Sequence, residues 1–188
     1  MSHLSWSHNL TRKSRLAGML YLVIIIMGLG AELGLRGPLV NLTDATGTAE
    51  AILAAPGQFR MAIAADLVMA LSDAGLAILL YLIFRNVAYG LALSAMVFRL
   101  IQAVLIAANL MALQTALMLL SSASDVSDVQ SLALVFLNLH GHGYDLGLVF
   151  FGVNSLMMGA LVWRSKIFAK AFGAGLALAG LVYLIGSG

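Results

Sequence analysis

The chain has 188 residues, of which 62% are hydrophobic and 10% are charged, and its formal net charge is +2. A soluble globular domain carries about 25% charged residues, so this composition excludes an ordinary soluble domain and indicates a membrane protein. The absence of cysteine excludes disulfides, thiolate metal ligands and cysteine nucleophiles. The sequence has no basic tail long enough for nucleic-acid binding, so we expect no nucleic-acid partner.

Five apolar stretches are long enough, or nearly so, to cross a hydrocarbon core of about 30 Å. The sequence therefore predicts an all-α fold, a polytopic bundle of five transmembrane helices. Residues 1–188 would form a single integral membrane domain. The predicted spans cover residues 16–35, 60–84, 91–120, 146–163 and 172–185, of which the last is the shortest.

The distribution of basic residues predicts the orientation. If the chain crosses five times, one side carries seven basic residues: Arg12, Lys13, Arg15, Arg85, Arg164, Lys166 and Lys170. The other side carries only Arg36 and Arg60, and Arg99 lies within a span. The positive-inside rule then predicts a cytoplasmic N-terminus and a C-terminus outside.

Two longer loops, residues 37–59 and 121–145, would face outward. The first contains a short helical pattern from Thr48 that Pro56 and Gly57 should end. The second continues through residues 126–139 with apolar residues at helical spacing. We therefore expect a short surface helix in each outer loop.

Three ionisable residues lie inside predicted spans: Asp66, Asp73 and Arg99. A charge in hydrocarbon costs at least about 2.5 kcal/mol, so it usually has a partner and is a functional-site hypothesis by default. Asp73 and Arg99 fall in the same half of the bilayer and are predicted to pair. Arg99, Gln102 and Asn109 form a polar stripe on the third span. The pair either only fixes the helix register or takes part in a site.

The segment His140-Gly-His142-Gly-Tyr144-Asp145 stands at the predicted outer mouth of the fourth span. His140 and His142 are two imidazoles that could bind a divalent metal, completed by Asp66, Asp145 or Glu32. Histidine beside carboxylates could instead accept a proton. In the third interpretation the histidines cap the fourth helix, with Gly141 and Gly143 permitting a tight backbone.

Other polar and small residues have structural explanations. Glu32 and Arg36 are four residues apart, with the acid first, which favours a local salt bridge at the membrane interface. Small residues share helix faces in the last two spans and predict close helix packing, within the bundle or between protomers. These are Gly152, Gly159, Gly173, Ala177 and Gly180.

Several segments together resemble the bacterial membrane-protein family known as domain of unknown function 4386. They are residues 15–22 (Arg-Leu-Ala-Gly-Met-Leu-Tyr-Leu), Phe59-Arg60, residues 65–67 (Ala-Asp-Leu), Leu80-Tyr81, residues 98–102 (Phe-Arg-Leu-Ile-Gln), residues 140–145, Phe150-Phe151-Gly152 and Tyr183-Leu184. The resemblance covers nearly the whole chain. It implies a polytopic protein of the bacterial inner membrane and implies no activity or catalytic residue.

The function expected from the residues is a polar pocket that opens outward and binds a small molecule, a lipid head group or a metal. Asp66, His140, His142 and Asp145 would supply proton or metal chemistry. The predicted ligand-binding residues are Arg60, Arg99, Gln102, Asn109 and Tyr144. Arg60 and Arg99 would offer positive charge to an anionic group.

Two other functions remain open. The protein could be a non-catalytic accessory subunit, with its small-residue faces docked on a larger membrane complex or on a second copy. It could also be a small proton-coupled transporter, although the sequence has no inverted repeat. Besides the lipid bilayer, the expected partner is a second copy of the chain in a homo-oligomer, or a larger membrane complex.

Overall fold

The computed structural model describes residues 3–122, 127–165 and 167–186. Helix α1 (His3–Leu29) continues into a π-helical segment, Gly30–Arg36, and a 3₁₀ turn, Gly37–Leu39. The remaining helices are α2 (Ala45–Ala54), α3 (Pro56–Phe84), α4 (Tyr89–Ser122), α5 (Ser127–Arg164) and α6 (Lys170–Gly186). Within these ranges the fold consists of helices and the turns that join them, which confirms the all-α class.

Four of the helical stretches are long and apolar enough to cross a membrane: Leu10–Leu39, Pro56–Phe84, Tyr89–Ser122 and Ser127–Arg164. Large apolar side chains project from them, including Met19, Leu71, Val104, Met111 and Met118. Apolar exposure on this scale suits a lipid environment and not water. The structure thus agrees with a membrane protein. Helix α6 has 17 residues, a length of about 25 Å, and its crossing remains a prediction.

The loop after the first span contains a helix, α2, as its sequence pattern indicates. Asp44 caps the helix, because its Oδ1 accepts a hydrogen bond from the Gly47 amide at 2.9 Å. Pro56 stands at the first position of α3, where its missing amide hydrogen costs nothing. The side of the membrane on which α2 lies remains a prediction.

The prediction of a separate surface helix over residues 126–139 is wrong for the residues that the structure describes. Residues 127–139 and the predicted fourth span are parts of one continuous helix, α5, which has 38 residues. No proline interrupts this stretch, and glycine within a helix costs only about 1 kcal/mol relative to alanine. Gly141 and Gly143 therefore do not end the helix.

The chain divides into two compact units. Within the described ranges, unit 1 takes its residues from Met1–Val23, Leu71–Val104 and Leu146–Gly188, and unit 2 takes its residues from Ile24–Ala70 and Leu105–Asp145. The long helices contribute residues to both units. Unit 2 has an apolar core in which Ile52 of α2 and Phe59 of α3 are fully buried with residues of α4 and α5, among them Leu113 and Leu137.

In unit 1, α6 packs tightly and in antiparallel fashion on α5. A Cβ atom added to Gly159 would lie 2.7 Å from the carbonyl oxygen of Gly173, and one added to Gly180 would lie 2.7 Å from that of Gly152. Such distances are shorter than real Cβ contacts, so only glycine fits at these positions. The small-residue faces of the last two helices are therefore used within the chain.

Candidate functional site

The end of the first long helix is π-helical over seven residues, Gly30–Arg36. A π-helix is rare and frequently marks a functional site. Glycines at positions 30 and 34 weaken the preference for a regular α-helix here. The segment carries Glu32 and Arg36, and Arg36 Nη2 donates a hydrogen bond to Glu32 Oε2. The local salt bridge expected from the sequence is present.

Arg36 also pairs with Asp66 of α3, a partner that the sequence analysis did not assign. Arg36 Nη1 lies 2.5 Å from Asp66 Oδ2, and these residues are only 6% and 1% exposed. The side chain of Glu32 is 60% exposed. We call Glu32, Arg36 and Asp66 the Arg36 cluster. It joins an exposed carboxylate to a buried one through a single guanidinium.

His140 lies in the same unit and close to this cluster. It is buried and is near enough to Arg36 and Glu32 to interact with both electrostatically. Asn109 of α4 holds it, because Asn109 Nδ2 donates to the His140 carbonyl oxygen at 2.6 Å and lies 3.2 Å from His140 Nδ1. The Tyr144 ring is 6.2 Å from the imidazole. These two contacts of Asn109 thus help to fix the position of His140.

Three other predicted site residues, Arg60, His142 and Asp145, are exposed. Residues two positions apart on an α-helix point about 200° apart, so His142 faces away from His140. Among the residues that the structure describes, no group of three or more His, Asp or Glu side chains could hold a metal ion. The fold therefore does not bring the predicted metal ligands together.

The interpretation in which His140 and His142 cap the start of the fourth helix is wrong. His140 to Asp145 lie inside α5, and no described residue has a positive φ angle. The glycines have another effect: a Cβ atom at Gly143 would overlap the side-chain amide of Asn109, whereas one at Gly141 would meet nothing within 4 Å. Gly143 therefore makes room for the Asn109–His140 contact.

We predict that Gly143→Ala displaces the Asn109 side chain and removes its hydrogen bonds to His140. The expected loss of unfolding free energy is about 1–3 kcal/mol, the cost of leaving buried polar groups unpaired. Gly141→Ala is the matched control and should be neutral or slightly stabilising. Denaturant titration of both variants in detergent checks the prediction, and equal stability of the two would contradict it.

Unit 1 holds the other buried arginine. Arg99 is 2% exposed, and its Nε and Nη2 atoms donate to Asp73 Oδ1 at 2.9 and 2.6 Å. The structure thus brings together the two residues expected to pair. Tyr21 and Phe151 place their ring centroids 5.2 and 5.3 Å from the guanidinium carbon. Both aromatic rings can therefore stabilise the cation.

Asn154 of α5 completes the surroundings of Arg99. Its Oδ1 lies 3.4 Å from Arg99 Nη1, and its Nδ2 donates to the Ala95 carbonyl oxygen at 2.6 Å. A cleft beside Arg99 is lined mainly by apolar side chains and is too narrow for a water molecule. Asp73 balances the charge of Arg99. The surroundings of Arg99 therefore do not resemble a prepared site for an anion.

Tyr21 and Asn154 in unit 1, and Gln58 in unit 2, make polar contacts that were not predicted from the sequence. Gln58 Nε2 donates at 2.9 Å to the carbonyl oxygen of Leu35, at the end of the π-helical segment. Asn154 could have been found, because a polar residue in a predicted span usually has a partner within the bundle. Tyr21 carries no such signal, since tyrosine is common in membrane helices.

These features define a helical membrane protein in which the described residues include two buried arginine–aspartate pairs, one in each compact unit. The chain belongs to the family described as Domain of unknown function (DUF4386), whose model matches residues 16–188. The resemblance stated from the sequence is thereby confirmed. Neither the comparison with curated proteins nor the comparison with solved structures found a match.

Proposed function

We propose that this protein binds the positively charged group of a small molecule or lipid head group at the Arg36 cluster. One observation carries the proposal: two carboxylates share one buried guanidinium, so the ionised cluster has an excess charge of −1. This excess negative charge attracts a counter-charge. Glu32 is exposed and can present this charge to a ligand.

The charges favour a cationic ligand over the anionic one expected from the sequence. Arg36 and Arg99 are each bonded to an aspartate, so an anion would have to displace a buried carboxylate. Arg60 is exposed and lies outside these clusters. An ammonium group needs no such displacement, because Glu32 Oε1 and Oε2 can both accept hydrogen bonds.

His140 lies close to the site. It interacts electrostatically with two members of the cluster, and Asn109 contacts its ring. We propose that the His140 imidazole accepts a hydrogen bond from the bound ammonium group. His142 and Asp145 have no part in this proposal.

We further propose that the protein lies in a bacterial inner membrane and crosses it five times. The basic residues on one side support a cytoplasmic N-terminus and a C-terminus outside. The tight packing of α6 on α5 supports a fifth crossing, because the partner segment lies within a long apolar helix. The Arg36 cluster would then face outward.

The accessory-subunit function has less support, because the small-residue faces of α5 and α6 pack on each other and are not free for a partner. Transport remains an alternative in which the bound cation crosses the membrane. Uptake of labelled ethanolamine into proteoliposomes would distinguish transport from binding.

Thermal unfolding in detergent with added ethanolamine tests the proposal. We expect ethanolamine to raise the unfolding temperature of the wild type, while sodium chloride at equal ionic strength does not. Glu32→Gln should weaken the apparent affinity about tenfold, the equivalent of 1.4 kcal/mol. Glu50→Gln is the matched control, since Glu50 is an exposed acid in the same unit, and should behave like the wild type.

The amine could come from a lipid head group or from a free small molecule, and a comparison of phosphatidylethanolamine with free ethanolamine distinguishes these two sources. Stabilisation by phosphatidylethanolamine but not by free ethanolamine would assign the site to a lipid head group. Greater stabilisation by phosphatidylglycerol, or the same response in Glu32→Gln and wild type, would contradict a cation site.

A further inference from the structure

The second inference concerns the end of unit 1 at which α3 is joined to α4 and α5 is joined to α6. Phe84, the last residue of α3, contacts Phe168 in the loop before α6, with ring centroids 6.0 Å apart. The two connections therefore meet. Arg85 follows Phe84 directly, Arg164 ends α5 and Lys170 begins α6. All three basic residues are exposed, and we call them the basic end of unit 1.

The positive charge of the basic end has no acidic counterpart in the sequence of its own unit. The segments that make up unit 1 contain one acidic side chain, that of Asp73. Asp73 is bonded to the buried Arg99, so its charge is already balanced. Three exposed cations without a carboxylate in their unit attract an anion from outside it.

Exposed aromatic residues stand beside these cations. The Trp163 ring centroid lies 5.5 Å from Lys170 Nζ, and Trp163 is 53% exposed. The Tyr89 ring lies 6.2 Å from that of Tyr81, which in turn interacts with Arg85. Exposed tryptophan and tyrosine are typical of the membrane–water interface, at the level of the lipid head groups. The surroundings therefore favour the phosphate of a lipid over free phosphate, because acyl chains can cover the apolar surface beside the cations.

The arrangement of the cations indicates how many phosphates the lipid carries. Arg85 stands after α3, whereas Arg164 and Lys170 flank the loop between α5 and α6. A lipid with one phosphate would balance one of the three charges. A lipid with two linked phosphates balances two and can contact both connections at once. Basic sites between membrane helices are known to bind cardiolipin, which has such a head group.

We propose that the basic end of unit 1 binds cardiolipin, with one phosphate at Arg85 and the other at Arg164 and Lys170. The guanidinium groups can each donate two hydrogen bonds to a phosphate, and the Lys170 ammonium has three hydrogens to donate. The site contains no residue of the Arg36 cluster, so this proposal and the proposed function can fail separately.

Native mass spectrometry of the full chain in detergent tests the site, with cardiolipin added or with twice the concentration of phosphatidylglycerol, which gives the same amount of phosphate. We expect one cardiolipin per chain, bound at least about fivefold more tightly than phosphatidylglycerol, since each cation near a lipid phosphate contributes about this factor. Arg164→Gln and Lys170→Gln should each weaken cardiolipin binding about fivefold. Arg60→Gln is the matched control, since Arg60 is an exposed arginine of unit 2, and should bind cardiolipin like the wild type.

Three results would overturn the proposal. The first is equal binding of cardiolipin and phosphatidylglycerol by the wild type, which would mean that any anionic lipid suffices. The second is equal weakening by Arg60→Gln and Lys170→Gln, which would mean that only the total charge matters. The third is displacement of the lipid by inorganic phosphate, which would assign the cations to a free anion. The first and third results come from the wild type alone, so the test does not depend on the folding of a variant.

Discussion

Arg99→Leu should lower the free energy of unfolding by about 3–5 kcal/mol, the cost of removing one partner of a buried ion pair. The variant leaves Asp73 buried without the two hydrogen bonds that Arg99 makes to Oδ1. It also removes the cation that lies near the rings of Tyr21 and Phe151. Denaturant titration in detergent measures the change.

The double variant Arg99→Leu/Asp73→Leu should recover most of this loss. Two apolar side chains carry no uncompensated charge, and replacing a buried ion pair with apolar residues is often neutral or stabilising. Arg60→Leu is the matched control for removing a positive charge, because Arg60 is exposed, and should change little. A double variant no more stable than Arg99→Leu alone would contradict the pairing of Asp73 with Arg99.

Gly159→Leu should detach α6 from α5 and destabilise unit 1. The new side chain would meet the Gly173 carbonyl oxygen and the Ala177 backbone, and backbone atoms cannot turn aside as a flexible side chain can. Overpacking of this kind costs about 1–3 kcal/mol even where the structure adjusts. We expect a lower unfolding temperature and faster proteolysis between α5 and α6.

Gly175→Leu provides the comparison on α6. A Cβ atom at Gly175 would meet nothing within 4 Å, so its side chain projects freely and should leave the unfolding temperature nearly unchanged. Equal destabilisation by the two substitutions would mean that glycine is needed for helix flexibility, and not for close approach of the helices.

Much of the fold could be predicted from the sequence, because hydrophobic length is a strong signal in membrane proteins. The four long apolar stretches are helices, and the Asp73–Arg99 contact follows from the cost of isolated charges in hydrocarbon. The continuity of α5 could not be predicted in the same way. Glycines beside polar residues are typical of a loop. In this helix, however, Gly143 leaves room for the Asn109 side chain.

The candidate site was only partly predictable. Asp66 and His140 are both buried, but their relation to Arg36 depends on the π-helical segment. No simple sequence pattern specifies a π-helix. Spacing along the chain predicts Glu32 as the partner of Arg36, because the two residues are four positions apart, and it does not predict Asp66. The exposure of His142 follows from helix periodicity once the motif is known to be helical.

The most direct test of the cation site is native mass spectrometry of the purified protein with ethanolamine and with phosphatidylethanolamine. We expect one amine-bearing molecule per chain on the wild type and on Glu50→Gln, and its loss from Glu32→Gln. A wild-type protein that retains no amine, or a Glu32→Gln variant that retains it equally, would contradict the assignment of the Arg36 cluster as the binding site.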